Sequence, residues 1–305
     1  MDCRRRGWFN EERGGKSLER DVFDRLLAES RPRLHRYCAR MVGSAFDGED
    51  VVQEALAKAT EAFPTAGPID RPESWLFRIA HNAALDALRR RKRQAALRSD
   101  IELARLADGG AAADARVAAT ASLATFLRLP ATQRSSVVLM DVLGHSLSEA
   151  AEILGVSIAA IKAALHRARE RLRDLANAPD STVPRLAAAE RDRLRHYADR
   201  FNARDFDALR DLLAEDVRLD MVNRRRLKGR KDVSLYFTKY GEIFDWRFAP
   251  GLAEGRPALL VNDPADGAKT IGYVVLLDWK NGQIAAIRDF RLAAYVMEGL
   301  VVSRL

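Results

Sequence analysis

The sequence predicts a multi-domain protein in which two all-α domains precede an α+β domain with a curved antiparallel sheet. Three observations carry that prediction. Apolar residues recur at helical spacing almost throughout residues 20 to 98, and again from about 122 to 177. Between these stretches, ADGGAAADARVAATA at 107–121 has no bulky apolar residue except Val117, too little apolar surface to fold alone. After about residue 205 the period shortens. VRLDMV and TIGYVVLLDWKNGQIAAIRDF alternate or run apolar in short segments, and Asn281-Gly282 is a hairpin turn signal.

The 305 residues, 48% of them hydrophobic, suffice for two or three cores at roughly 100 to 200 residues each. The expected order is a tail over 1–19, a helical domain over 20–106 and a linker over 107–121. A second helical domain follows over 122–178, then a linker over 179–186, where APDSTVP breaks the pattern with two prolines, and the α+β domain over 187–305. The net charge of +8 favours a polyanionic partner, nucleic acid ahead of an anionic membrane surface. Cys3 and Cys38 are too few and too badly spaced for a disulfide framework or a zinc site, which suits a reducing cytoplasm. Arg4, Arg5 and Arg6 are followed by Trp8, Phe9 and Asn10, not by the apolar run of a signal peptide. No stretch approaches the about 18 apolar residues of a membrane span. The expectation is a cytoplasmic protein with no membrane segment, metal, cofactor or catalytic residue.

In the first domain Gly67 and Pro68 mark a loop, and DGED opens a helix at about Asp47. The helix ESWLFRIAHNAALDALRRRKR projects Trp75, Arg78, Asn82, Asp86, Arg89 and Arg93 along one face and Leu76, Ile79, Ala83 and Ala87 along another. A ring to stack on, a polar edge and cations for the backbone are what single-stranded nucleic acid requires. The plainer reading is a solvated basic helix beside a buried Trp. Upstream, Asp47, Glu49, Asp50 and Glu54 crowd the first turns of a helix of opposite sign. Such charges also suit a helix N-terminus for structural reasons.

In the second domain, LSEAAEILGVSIAAIKAALHRARERLR at 147–173 has a helix, a Gly155 turn and a second helix capped by Ser157. Ile158, Ile161, Leu165, Ala168 and Leu172 share one stripe of that second helix. Lys162, His166, Arg169 and Arg173 fall on the opposite face, available to phosphates or base edges. An amphipathic helix whose cations keep it soluble is the competing reading.

Together these segments resemble the extracytoplasmic-function sigma factors of bacterial RNA polymerase, over about residues 20 to 176. DGEDVVQEAL is similar to the family's polymerase-docking segment, PESWLFRIAHNAALDALRRRKR to the segment that melts and reads the −10 promoter element, and LPATQRSSVVLMDVLGHSLSEAAEILGVSIAAIKAALHRARERL to the −35-reading domain. The resemblance implies two partners: core RNA polymerase, through its beta-prime clamp helices and beta flap, and promoter DNA. It places Asp47, Glu49, Asp50, Gln53 and Glu54 against polymerase. It places Trp75, Arg78, Asn82, Asp86 and Arg89 at the −10 element, with Arg90, Arg91 and Arg93 on backbone phosphate. Ser157, Lys162, His166, Arg167 and Arg169 serve the −35 element. Many members carry a hydroxyl residue and an arginine after the lysine of the reading helix, where this chain has Ala163 and Ala164.

RLRHYADRFNARDFDALRDLLAEDVRLDM, continuing through RLKGRKDVSLYF and the final hairpin, resembles the nuclear-transport-factor-2-like fold of SnoaL-type cyclases and ketosteroid isomerases. That implies a cone-shaped pocket holding a small ligand, with Tyr197, Phe201, Asp220, Trp246, Tyr273 and Asp289 as candidate lining. Proton transfer needs a carboxylate with a shifted pKa beside a donor in an apolar cavity, and Asp220 and Asp289 are the candidate pair. Two strand-end aspartates are the preferred reading. The combined resemblance is to sigma factors that use such a C-terminal domain as a built-in regulator. The competing reading is a helix-turn-helix regulator fused to a small-molecule-binding or isomerase/cyclase-type enzyme domain, which would turn over substrate without polymerase.

Overall fold

The computed structural model describes residues 20–98, 122–176, 186–242, 246–262 and 270–305. The expected linker at 107–121 and all but residue 186 of that at 179–186 lie outside the described residues. The chain forms two compact units, Met1–Pro179 and Asp180–Leu305.

The first unit is helical. It comprises α1 (Arg20–Val42), α2 (Ala45–Ala62), α3 (Pro72–Arg98), α4 (Leu123–Leu127), α5 (Ala131–Val137), α6 (Leu147–Leu154) and α7 (Ile158–Ala176). A single π-helical turn, Val138–Val142, extends α5. The second helix starts at Ala45, two residues before the expected Asp47, because Ser44 sits in an extended conformation and its Oγ accepts from the Asp47 amide at 3.2 Å. The α1 and α2 backbones then pass so closely that a Cβ on Gly48 would lie 2.6 Å from the Ala39 Cα.

The two helical segments pack around one continuous core. Phe23, Tyr37, Met41, Val52 and Phe77 of the first half join Phe126, Leu129, Val138, Leu139, Ile153 and Leu165 of the second. Polar bonds reinforce the junction. The buried Arg134 guanidinium donates to the carbonyls of Met41, Leu127 and Leu129, the last at 2.8 Å. The His145 ring meets Phe77 edge-on at 4.9 Å.

The second unit begins with α8 (Ala188–Asn202) and α9 (Phe206–Asp211), followed by β1 (Leu213–Met221), β2 (Arg225–Lys228) and α10 (Arg230–Gly241). The remaining strands are β3 (Phe248–Ala253), β4 (Arg256–Asn262), β5 (Ile271–Lys280), β6 (Gln283–Asp289) and β7 (Val302–Arg304). They form one seven-stranded sheet in the order β2-β1-β6-β5-β4-β3-β7. The expected hairpin at Asn281-Gly282 is present, with φ of 51° and 80° as a type I′ turn requires. The expectation of an antiparallel sheet needs one correction: β1 and β6 pair in parallel. A parallel pair needs a long crossover, and here the chain between the two strands includes α10 and four further strands. Register shifts within the β1–β6, β4–β5 and β5–β6 pairings mark irregularities that bend the sheet. Helices α8 and α10 cover it, burying Tyr197, Phe201, Val233 and Phe237 against Val275 and Ile287.

Candidate nucleic-acid interface and C-terminal cleft

The acidic helix α2 and the basic helix α3 partly neutralise each other. Arg90 donates to Glu54 at 2.7 Å, Lys58 lies 2.7 Å from the same carboxylate, and Arg91 lies 3.9 Å from Asp47. The hydrogen bond from Arg90 is the main reason the Glu54 carboxyl is held below the usual carboxylate range. Asp50 is exposed and Gln53 half-buried. Glu49 differs from expectation: its side chain is fully buried, takes an ion pair from Arg31 and accepts from Gln53 at 3.3 Å. It faces α1, so it knits two helices together and presents nothing to a docking partner.

On α3, Leu76, Phe77, Ala80, Ala83 and Ala84 form the buried face, with Ile79 and Ala87 half-buried at its edge. Arg78, Asn82, Arg89, Arg90, Arg91 and Arg93 are exposed, and Asp86 is half-buried, paired with Arg89 at 3.0 Å. Trp75 is also half-buried, its ring 6.2 Å from Phe23, so it anchors the first turn of α3 as well as flanking the basic face. A feature the sequence did not signal is Glu152 at the end of α6. It accepts from Arg71 through its carboxylate at 2.7 Å and from Arg78 through its main-chain carbonyl at 2.8 Å.

The helix-turn-helix is built from local signals. Ser146 and Glu149 form a capping box at the start of α6, and Gly155 ends that helix with φ +66°. Ser157 Oγ then accepts from the Ala160 amide at 3.2 Å. Ile161, Leu165, Ala168 and Leu172 are buried as expected. Ile158 is not: it is 45% exposed, since the first residue of the helix projects beyond the packed stripe. Lys162, His166 and Arg167 face solvent. Arg169 departs from the expected solvent face. It makes a two-pronged ion pair with Asp141, at 2.6 and 2.8 Å, whose side chain is 3% exposed, and so ties α7 to the π-helical turn.

In the second unit the structure gathers Tyr197, Phe201, Trp246, Tyr273 and Asp289. The buried Asp289 carboxylate accepts from the hydroxyls of Tyr236 at 2.9 Å and Tyr240 at 2.7 Å, and from the Arg291 amide at 2.8 Å. Tyr240 also shares a hydrogen bond with Tyr273 at 3.1 Å. Burial pushes the Asp289 carboxyl up and the surrounding tyrosine hydroxyls still further from ionisation. Phe201 fills the centre, with ring centroids 4.1 Å from Phe248, 5.1 Å from Trp246 and 5.2 Å from Tyr240. Tyr236 and Tyr240 carried no sequence signal beyond helical spacing.

Asp220 is not part of this group. In the parallel pairing it lies opposite Arg288, while Met221 lies opposite Asp289. Neighbouring strand residues face opposite sides of a sheet, so the two aspartates do not share a cavity. Asp220 instead lies 3.4 Å from Arg226 and 3.6 Å from Arg288. A cleft of about 500 Å³ opens between α10, the β1–β2 hairpin and the segment after β6. Among the described residues no cluster of acidic, His or Cys side chains is arranged to hold a metal, and no helix is long and apolar enough to cross a membrane.

A helix-turn-helix with a basic outer face, joined through one core to a second basic helix, defines a nucleic-acid-binding protein. Comparison with known proteins narrows the class. The family model for sigma-70 region 2 matches residues 26–94, that for sigma-70 region 4 matches 123–172, and that for a SnoaL-like domain matches 194–287. The sigma factor SigM of Mycobacterium tuberculosis is 32% identical over 154 residues, covering 50% of this chain and 76% of SigM. CnrH of Cupriavidus metallidurans is 39% identical over 147 residues, 43% of this chain and 74% of CnrH. The crystal structure of M. tuberculosis SigJ aligns with 90% of this chain and 98% of its own at 22% identity, with a TM-score of 0.35. The chain belongs to the extracytoplasmic-function RNA polymerase sigma factors, which bind core polymerase and direct it to promoters, and it carries a SnoaL-like domain at its C-terminal end.

Proposed function

We propose that this sigma factor acts in the cytoplasm and that its SnoaL-like unit regulates promoter use without turning over a substrate. Asp47, Asp50, Gln53 and Glu54 meet the clamp helices. Arg78, Asn82, Asp86 and Arg89, flanked by Trp75, serve the −10 element, while Arg90, Arg91 and Arg93 hold phosphate. Ser157, Lys162, His166 and Arg167 serve the −35 element, in a domain that also meets the beta flap. The observation that carries the DNA-reading part is the exposed cationic face of α7 on a helix-turn-helix. The regulatory part is supported by an interior filled with aromatic rings and by an Asp289 carboxylate already accepting from three donors.

The test is transcription with purified core polymerase, comparing the full chain, a chain ended at Pro179 and Lys162→Ala. The full chain directs specific initiation, the shortened chain initiates at an altered level, and Lys162→Ala weakens duplex binding with a salt slope smaller by about one. Identical output from the full and shortened chains, or turnover of a ketosteroid by the full chain, refutes the regulatory reading.

A further inference from the structure

We propose that the cleft beside α10 binds an amphipathic anion, with an acyl or aryl body on its apolar floor and an anionic head among Arg224, Arg225 and Arg291. The proposal rests on the regulatory reading of the unit Asp180–Leu305 and names the ligand class of that unit. Its first support is composition. Met221, Leu227, Tyr236, Tyr240, Leu235 and Leu292 line one continuous surface. Leu235 and Leu292, both lining the cleft, are 61% and 43% exposed. A volume of about 500 Å³ falls within the range of small-molecule sites and suits a chain or ring system of modest size.

The second support is charge. Four cations, Arg224, Arg225, Lys239 and Arg291, line the cleft against one carboxylate, Glu242. Lys239 is 3.1 Å from Glu242, so that pair is internally neutral. Arg224 and Arg225 are exposed on the turn into β2 and form no ion pair among the described residues. The Arg291 guanidinium lies 5.4 Å from the centre of the Tyr240 ring, held at the edge of the apolar floor. A neutral polycyclic ligand would gain nothing from these guanidinium groups. A nucleic-acid strand would gain nothing from the leucines. An amphiphile with a carboxylate or phosphate head uses both, since guanidinium pairs with either group in two-pronged fashion.

Dodecanoate and dodecyl phosphate, each kept below its micellar concentration, and dodecanol, kept below its solubility limit, are titrated into the full-length protein by calorimetry, alongside phosphatidylglycerol vesicles. One-to-one saturable binding of either anionic probe, at least tenfold tighter than dodecanol, is the expected result. Arg224→Glu with Arg225→Glu, and separately Leu235→Glu, weaken it at least tenfold. All three positions are exposed, so circular dichroism stays unchanged. Equal binding of dodecanol, binding to vesicles alone, no binding, or affinity indifferent to these variants overturns the proposal. Transcription separates it from the reading beneath it. Tight anion binding with no effect on initiation leaves the site standing and removes the regulatory role. A C-terminal truncation effect without anion binding does the reverse.

Discussion

At Asp289 a single carboxylate organises the polar centre of an otherwise aromatic interior. Replacing it with Ala strands the Tyr236 hydroxyl and leaves Tyr240 only its bond with Tyr273, so Asp289→Ala costs about 2 to 4 kcal/mol, whereas Asp289→Asn keeps an acceptor, removes the buried charge and costs less. Urea unfolding of the two variants checks the order. The sequence marked Asp289 as a polar residue at the end of an apolar strand. Its partners stand 49 and 53 positions upstream on a helix, and no local pattern links them. The half-buried His81 and the buried His145 give the first unit a pH dependence. Burial lowers both His81 and His145 to about 4, below the ordinary value near 6.5. The unfolded chain therefore takes up protons first as pH falls. The stability contributed by the neutral rings is complete above about pH 6.5 and is lost progressively down to about 4. The urea midpoint falls across that window, and His145→Phe, which keeps a ring against Phe77, makes the fall shallower. An unchanged slope in that variant would show that His145 does not contribute.

Elements were most legible where their signals are local. Gly155 and Ser157 stand at fixed short offsets, so the turn between α6 and α7 could be placed to the residue. Faces were less legible at helix ends and wherever a charged residue turns inward: Ile158 projects outward, Arg169 reaches Asp141, and Glu49 rather than Asp50 faces α1. The parallel β1–β6 pairing was beyond reach, since strand order depends on long crossovers that leave no mark on period-two alternation. The close pass of α1 and α2 has a mutational signature. Gly48→Ala forces a Cβ toward the Ala39 backbone, and main chain cannot yield as a side-chain tip can. The expected loss is about 1 to 3 kcal/mol, read as a lower melting temperature with unchanged helical content at 20 °C.

Across the first unit, the composition of 107–121 marked the division between two helical segments, but nothing local said that Phe77 would meet His145 or that Arg134 would reach Met41. These contacts close the two promoter-reading segments onto one core. They also engage Arg78, a residue assigned to the −10 element, through the Glu152 carbonyl, while Arg71 holds the Glu152 side chain. Under the proposed assignment of Arg78 to the −10 element, helix α6 competes with DNA for the same arginine. The ion pair is largely solvent-exposed and contributes only about 0.2 to 1 kcal/mol, small enough for a promoter strand to displace. Glu152→Lys replaces this attraction with repulsion from Arg71 and loosens α6 from α3. Each 1.4 kcal/mol is tenfold in an equilibrium, so the variant binds a single-stranded −10 oligonucleotide about 2- to 10-fold more tightly than the parent. Fluorescence anisotropy with the full-length protein measures it. Glu152→Gln, which removes the charge without adding a like one, falls between the two. Equal affinities for all three proteins would mean that the contact does not restrain DNA binding.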